Sequence, residues 1–302
     1  MNTTVLRARN PASPTPQAGP GGCGSLIPVC PRKESAFTLL ELLVVIAILG
    51  ILAAISAPTL NSFKPNVIGA ASLQLLADIG RARQLAIINR TTVYMVFVPT
   101  NFFDAAGPYS RLPVTSPAGG ASERDKADKL LDKQLIAYNY VSLRSLGEQP
   151  GVITPRYLSS WKTLPEGTFI SLQKFYPGPP PYPWSNIVNQ VTGKSFPVRP
   201  FPVTNNIPFP SEMTALYPNA APYVALPYIA FNYLGQLVSG RDEVIPLGRG
   251  NLSFGKDAAK NPTKRLPTLV EAPPGNTTNS SFNLIYIDWL TGRGRVERQE
   301  VR

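Results

Sequence analysis

The apolar run that ends at Pro58 limits this chain more than any other feature. From Phe37 to Ala57 the only charged residue is Glu41. As an α-helix the stretch would be about 31 Å long, enough to cross the hydrocarbon core of a bilayer. A carboxylate in such a segment costs about 2.5–3.5 kcal/mol on insertion scales, so Glu41 calls for a partner. Arg32 and Lys33 stand directly before the run. The positive-inside rule therefore puts residues 1–36 in the cytoplasm and the C-terminal bulk across the membrane. That leader is rich in Pro and Gly from Pro11 to Gly24, so it is expected to be disordered. It has no apolar core of its own, unlike a secretory signal peptide.

Charge and composition narrow the function classes. The 302 residues carry a net charge of +11 and fit one or two domains. Arg7, Arg9, Arg32 and Lys33 against Glu34 give the leader +3, which leaves +8 for the rest. Such an excess favours anionic partners. The two cysteines, Cys23 and Cys30, both lie in the leader, so a chain cut after it has no disulfide or thiolate chemistry. There is no histidine. Ser-His-Asp and Cys-His catalysis are excluded, typical zinc sites are disfavoured, and no pair of acids is placed to act alone. The expectation is a protein that is not an enzyme and holds no cofactor.

Beyond the run, Ile68, Ala71, Leu75, Ile79, Ala82 and Ala86 step by three and four along one face. They predict an amphipathic helix over 66–90 that a β-sheet would cover. Pro58 and Pro65 each lack an amide donor, which predicts kinks and a poorly helical stretch from Thr59 to Lys64. Alternating, β-branched and aromatic stretches predict strands at Thr92–Val98, Leu135–Leu143, Val152–Leu158, Phe169–Phe175, Tyr223–Asn232, Gln236–Val238, Asn251–Phe254, Phe282–Asp288 and Arg293–Val301. Asn101–Asp128 reads as a loop. Twelve prolines between Pro177 and Pro222 predict an irregular insertion, since proline gives no donor to a ladder. Tyr138, Tyr140, Tyr223, Tyr228, Phe231 and Tyr233 read as sheet-face packing rather than a stacking platform. Asp242-Glu243 reads as a solvated turn.

The stretch Ala36-Phe37-Thr38-Leu39-Leu40-Glu41 with its apolar helix resembles the class III signal of type IV pilins and type II secretion pseudopilins. Ala36 stands where glycine is usual. The resemblance implies cleavage between Ala36 and Phe37 by prepilin peptidase and N-methylation of Phe37. It also implies an assembly role for Glu41, which would attract a neighbouring subunit's terminal amine, and a kink at Pro58. Three further patches are similar to GspH/FimT-like minor pseudopilins. They are Leu76-Ala77-Asp78 through Arg81-Ala82-Arg83 to Asn89-Arg90-Thr91; Trp161 to Gly167; and Ile229 to Gly235 followed by Ile287 to Arg293. The implied fold is α+β. A long N-terminal helix (37–90, transmembrane over 37–57) packs on antiparallel sheets in a periplasmic domain (91–302), with the Pro-rich insertion at 177–222. The implied home is the inner membrane, and the implied partners are other subunits of a helical filament.

Two functions fit that resemblance. One is a structural subunit of a type II secretion pseudopilus, in contact with other pseudopilins and secreted cargo. The other is FimT-like capture of DNA, for which Gly292-Arg293-Gly294-Arg295 is the candidate site. Its glycines would let the backbone approach phosphate, and Arg293 and Arg295 would supply the donors. Lys256, Lys260, Lys264 and Arg265 could widen the patch. Against it, four arginines and three acids leave the stretch from Asp288 to Arg302 at only +1.

Overall fold

The structure is a computed structural model. It describes residues 38–298 except 63–65, 101, 104–107, 116–118, 145–147, 150–151, 176–184, 190–191, 217–223, 256–257, 259–265 and 278–282, and only the backbone of 52–62. The chain divides into two compact units, 1–64 and 65–302.

The first unit contains α1 (Leu39–Ser62). The helix runs through Pro58, and Thr59 to Ser62 are helical, contrary to the expectation for 59–64. A proline removes one donor and crowds the carbonyl four residues back, yet the flanking bonds can carry a helix past it. Among the described residues no helix is long and apolar enough to cross a membrane. The side chains of α1 are described only as far as Ile51, which is about 20 Å of helix.

The second unit begins with α2 (Val67–Ile88). Asn66 caps it by accepting from the Gly69 amide at 3.0 Å. There follow β1 (Val93–Phe97), the short α3 (Glu123–Asp128), β2 (Ala137–Ser142), β3 (Arg156–Tyr157), β4 (Lys162–Thr163), β5 (Thr168–Ile170), β6 (Ser185–Val188) and β7 (Ser195–Val198). Then come β8 (Val203–Thr204), β9 (Leu226–Phe231), β10 (Glu243–Ser253), β11 (Thr268–Glu271), β12 (Asn283–Ile287) and β13 (Gly294–Arg298). All pairings are antiparallel. One sheet has the order β3-β2-β1-β9-β8, with β4 also on β2; the other runs β11-β10-β12-β13, with β5 also on β10. In the centre of the first sheet Met95 faces Tyr140 on one side and Ile229 on the other.

The stripe read from the sequence is the buried face of α2. Ala71, Leu75, Ile79, Ala82 and Ala86 are fully buried, and Ile68 packs beside them half-buried. They meet Met95, Phe97, Tyr138, Tyr140, Ile229 and Phe231 of the first sheet and Ile245, Leu247, Ile285 and Ile287 of the second. One helix thus supplies the core for two sheets. Leu75 and Ile79 each contribute about 1.5–3 kcal/mol by leaving water, and the three alanines let the strands come close.

Other expectations need correction too. Gln236–Val238 forms no strand, only an isolated bridge between Leu237 and Phe231. Asn101–Asp128 is not only loop: it holds α3, capped by a Ser122–Asp125 capping box, and Phe102, Phe103 and Tyr109 bury against the outer face of the first sheet. Val152–Leu158 forms strand only at Arg156–Tyr157; Val152 and Ile153 face solvent, and the Val152 amide turns back to the Gln149 carbonyl at 3.2 Å. Past Ile170 the Phe169–Phe175 stretch turns into a 3-10 helix, Leu172–Phe175. The Pro-rich insertion is ordered over much of its length. It forms the β6–β7 hairpin, adds β8 to the first sheet, and sends Phe201, Ile207 and Phe209 into the core. Pro197 is accommodated because each strand of a two-stranded hairpin has a free edge. The triple proline at 179–181 lies outside the described residues.

Candidate functional site

Glu41 lies in the first turn of α1 and is exposed. Thr38 precedes that turn, and the two residues cap each other. The Glu41 carboxylate accepts from the Thr38 amide and from its hydroxyl, both at 3.0 Å, and the Thr38 hydroxyl accepts from the Glu41 amide at 3.2 Å. This reciprocal arrangement satisfies orphan donors at a helix start and places an acid at the positive end of the helix. Ala36 and Phe37 lie outside the described residues, and Pro58 sits within α1.

The three patches that are distant in sequence meet along α2. Asp78 is buried and accepts from the Tyr138 hydroxyl at 2.6 Å and from the Lys162 ammonium, which also lies over the Tyr140 ring. Tyr140 donates to the Asp78 carbonyl at 3.0 Å. Burial, then the Asp78 contacts, push both tyrosines well above the usual phenol range. They stay protonated at neutral pH and cannot serve as bases. One helical turn and more along, Arg83 donates to the Thr291 carbonyl at 2.8 Å, which ties the first patch to the third.

The same junction explains the glycines of Gly292-Arg293-Gly294-Arg295. Gly292 has φ +62°, and a Cβ there would stand 1.9 Å from the Gly235 carbonyl oxygen. A Cβ on Gly294 would stand 2.6 Å from a Leu76 methyl. Gly292 is therefore required by packing, and a role in admitting phosphate is not needed to account for it; at Gly294 the near atom is the end of a flexible leucine side chain. Arg293 is exposed at the turn. Arg295, on β13, donates to Glu297 at 2.8 Å and lies over the Tyr286 ring at 4.1 Å. Burial pulls the Glu297 carboxyl up, but hydrogen bonds from Arg295 and Lys194 outweigh it and leave the group below its usual range. Burial and a bond to Asp242 push Tyr286 up to about 12. Arg295 is thus engaged through its Nε, while Arg293 is exposed at the turn. Lys256, Lys260, Lys264 and Arg265 lie outside the described residues.

Two features escaped the sequence reading. Glu243 is not in a solvated turn: it is buried at the head of β10 and pairs with the fully buried Lys174, whose ammonium also donates to the Arg199 carbonyl at 2.5 Å. Burial pulls that ammonium below its ordinary range, against the pull of Glu243. The other feature is an exposed apolar patch on the turns that meet at Gly235 and Gly292. Tyr233 (59% exposed), Leu234, Leu290 and Trp289 belong to it, with the Leu237 amide bonded to the Trp289 carbonyl at 2.9 Å. Of the six aromatic positions read as sheet packing, Tyr138, Tyr140 and Phe231 are buried and Tyr228 half-buried. Tyr233 faces solvent and Tyr223 lies outside the described residues. Among the described residues no His/Cys/Asp/Glu group could hold a metal.

Residues 31–57 match the family described as the prokaryotic N-terminal methylation motif, the prepilin signal of type IV pilin-like proteins. The motif implies methylation, processing by prepilin peptidase and assembly with other pilin subunits. No curated protein and no solved structure matches the chain.

Proposed function

We propose that the chain is a minor pseudopilin, a structural subunit of a type II secretion pseudopilus. Residues 1–36 are its cytoplasmic leader, 37–57 its single span of the inner membrane, and 91–302 its periplasmic domain. The methylation motif over 31–57 carries this reading. The exposed apolar turns support it, since a contiguous patch containing Trp and Tyr suits contact with neighbouring subunits. Glu41 waits on its own Thr38 cap until a neighbour's terminal amine offers a charged partner in apolar surroundings, which offsets the cost of burying the carboxylate. Cleavage falls between Ala36 and Phe37, and Phe37 carries the methyl group.

DNA capture through Arg293 and Arg295 draws less support, because packing explains Gly292 and Glu297 pairs with one arginine. A test in the native host is Glu41→Ala. The variant should insert and be cleaved normally, yet be missing from sheared filaments or cross-linked subunit complexes. Wild-type incorporation of the variant would sink the assembly role.

A further inference from the structure

Among the described residues, Lys174 and Glu243 form the ion pair most removed from water, with side chains 0% and 6% exposed. They stand 69 positions apart in the chain, Lys174 in the 3-10 helix Leu172–Phe175 and Glu243 at the head of β10. The insertion closes over them. The Phe201 amide donates to the Lys174 carbonyl at 2.8 Å, and the Phe201 ring stacks on Phe97 at 4.4 Å and meets Phe175 edge-on at 5.5 Å.

A buried ion pair is well held only when its remaining protons and lone pairs also find partners. This pair is short of them. The three ammonium protons have two oxygen acceptors, Glu243 and the Arg199 carbonyl, and Nζ otherwise faces the Phe201 ring at 4.3 Å. The Glu243 carboxylate accepts from Lys174 alone among the described residues. Burial, reinforced by the charges of Arg241 and Arg199, pulls the amine below its ordinary range against the pull of Glu243. A neutral amine against a protonated carboxyl is the other form of the pair, and it is the reactive one. The other two buried acids that meet lysines differ. Asp78 has the Tyr138 hydroxyl besides a Lys162 that reaches solvent, and Glu123 has the Ser211 and Thr214 hydroxyls besides a Lys126 that reaches solvent.

We infer that Lys174 and Glu243 condense into an intramolecular amide bond that ties the 3-10 helix to β10. Nζ of the neutral lysine attacks Cδ of the protonated carboxyl, and a C–N bond forms. The C–OH bond breaks, and the hydroxyl leaves with one amine proton as water. No oxidant and no further reactant takes part. Enforced contact supplies the effective concentration that a free amine and acid lack, and the positive field of Arg241 and Arg199 favours the oxyanion formed on attack. The product suits the site better than the ion pair does, because its single N–H needs one acceptor and the Arg199 carbonyl is in place. The bond closes the stretch that carries the whole Pro-rich insertion, 177–222, and so restricts the unfolded chain. It forms within one folded chain, whatever filament that chain joins.

The test is the intact mass of the full chain, expressed without prepilin peptidase and purified in nonionic detergent. It is measured beside Lys174→Met/Glu243→Leu, which removes both charges together. The parent should weigh one water less than its sequence requires, and the variant should show its full sequence mass whether or not it folds. A tryptic digest of the parent should contain a branched species that joins the segments around residues 174 and 243, with no cleavage after Lys174. A parent of full sequence mass that yields only linear peptides would overturn the inference and leave an ion pair. So would a deficit of one water that persists in the variant, or a branch between other residues.

Discussion

The C-terminal hairpin and the groove beside α3 both present cationic side chains, and they are built in opposite ways. In the hairpin two glycines and two arginines follow one another in the chain, which makes the stretch conspicuous. The fold uses its glycines for close packing on Gly235 and Leu76 and engages Arg295 with Glu297 and Tyr286. In the groove the lysines are spread over 126–133, the floor comes from 130, 157, 161 and 210, and only the folded chain assembles them. Proximity in sequence therefore marked a structural device, while the groove is assembled from residues scattered along the chain.

The sharpest way to break this contrast is at Gly292. Gly292→Ala combines a left-handed backbone with a clash against a carbonyl, and should cost about 3 kcal/mol in urea unfolding. A neutral result would release the glycine for a binding role. Next comes Glu123→Ala, which leaves the Ser211 and Thr214 hydroxyls and the Lys126 ammonium without their acceptor. It should cost about 2 kcal/mol and loosen the insertion, seen as faster proteolysis near 211–216. Arg295→Ala should cost about 0.5–1 kcal/mol, through its ring contact and exposed ion pair, and Arg293→Ala about zero. A larger loss for Arg293 would show a contact that the hairpin geometry does not contain.

The smallest effect is one of pH. The Thr291 amide and hydroxyl bond the Asp288 carboxylate and hold it below the usual carboxylate range. Its folded value lies below its unfolded value, so its contribution is complete above the unfolded value of about 4 and fades as pH falls through the folded one. Asp288→Asn should lower stability slightly near neutrality and leave it unchanged in acid, which flattens the acid limb below pH 4.

What could be read from the chain alone follows the same division between contiguous and assembled features. The α2 stripe was legible because Ala71, Leu75 and Ile79 obey helical spacing whatever covers them. The strands at β1, β2, β9 and β12 were legible from their β-branched and aromatic residues, again a local signal. β10 was not legible beyond its last residues, because Pro246, Gly248 and Gly250 break its pattern and Glu243 reads as polar surface until Lys174 arrives beneath it. The insertion was misjudged because twelve prolines argue against sheet, while Phe201, Ile207 and Phe209 between them are what the core recruits. The prepilin motif needed no fold to be seen, since it is carried by consecutive residues.

The most direct test of the functional reading is the mass of the N-terminus after expression with and without a prepilin peptidase. The expected product begins at Phe37, bears one added methyl, and appears only with the active peptidase. A chain that keeps residues 1–36 in its presence, or is cut elsewhere, would contradict the pseudopilin reading.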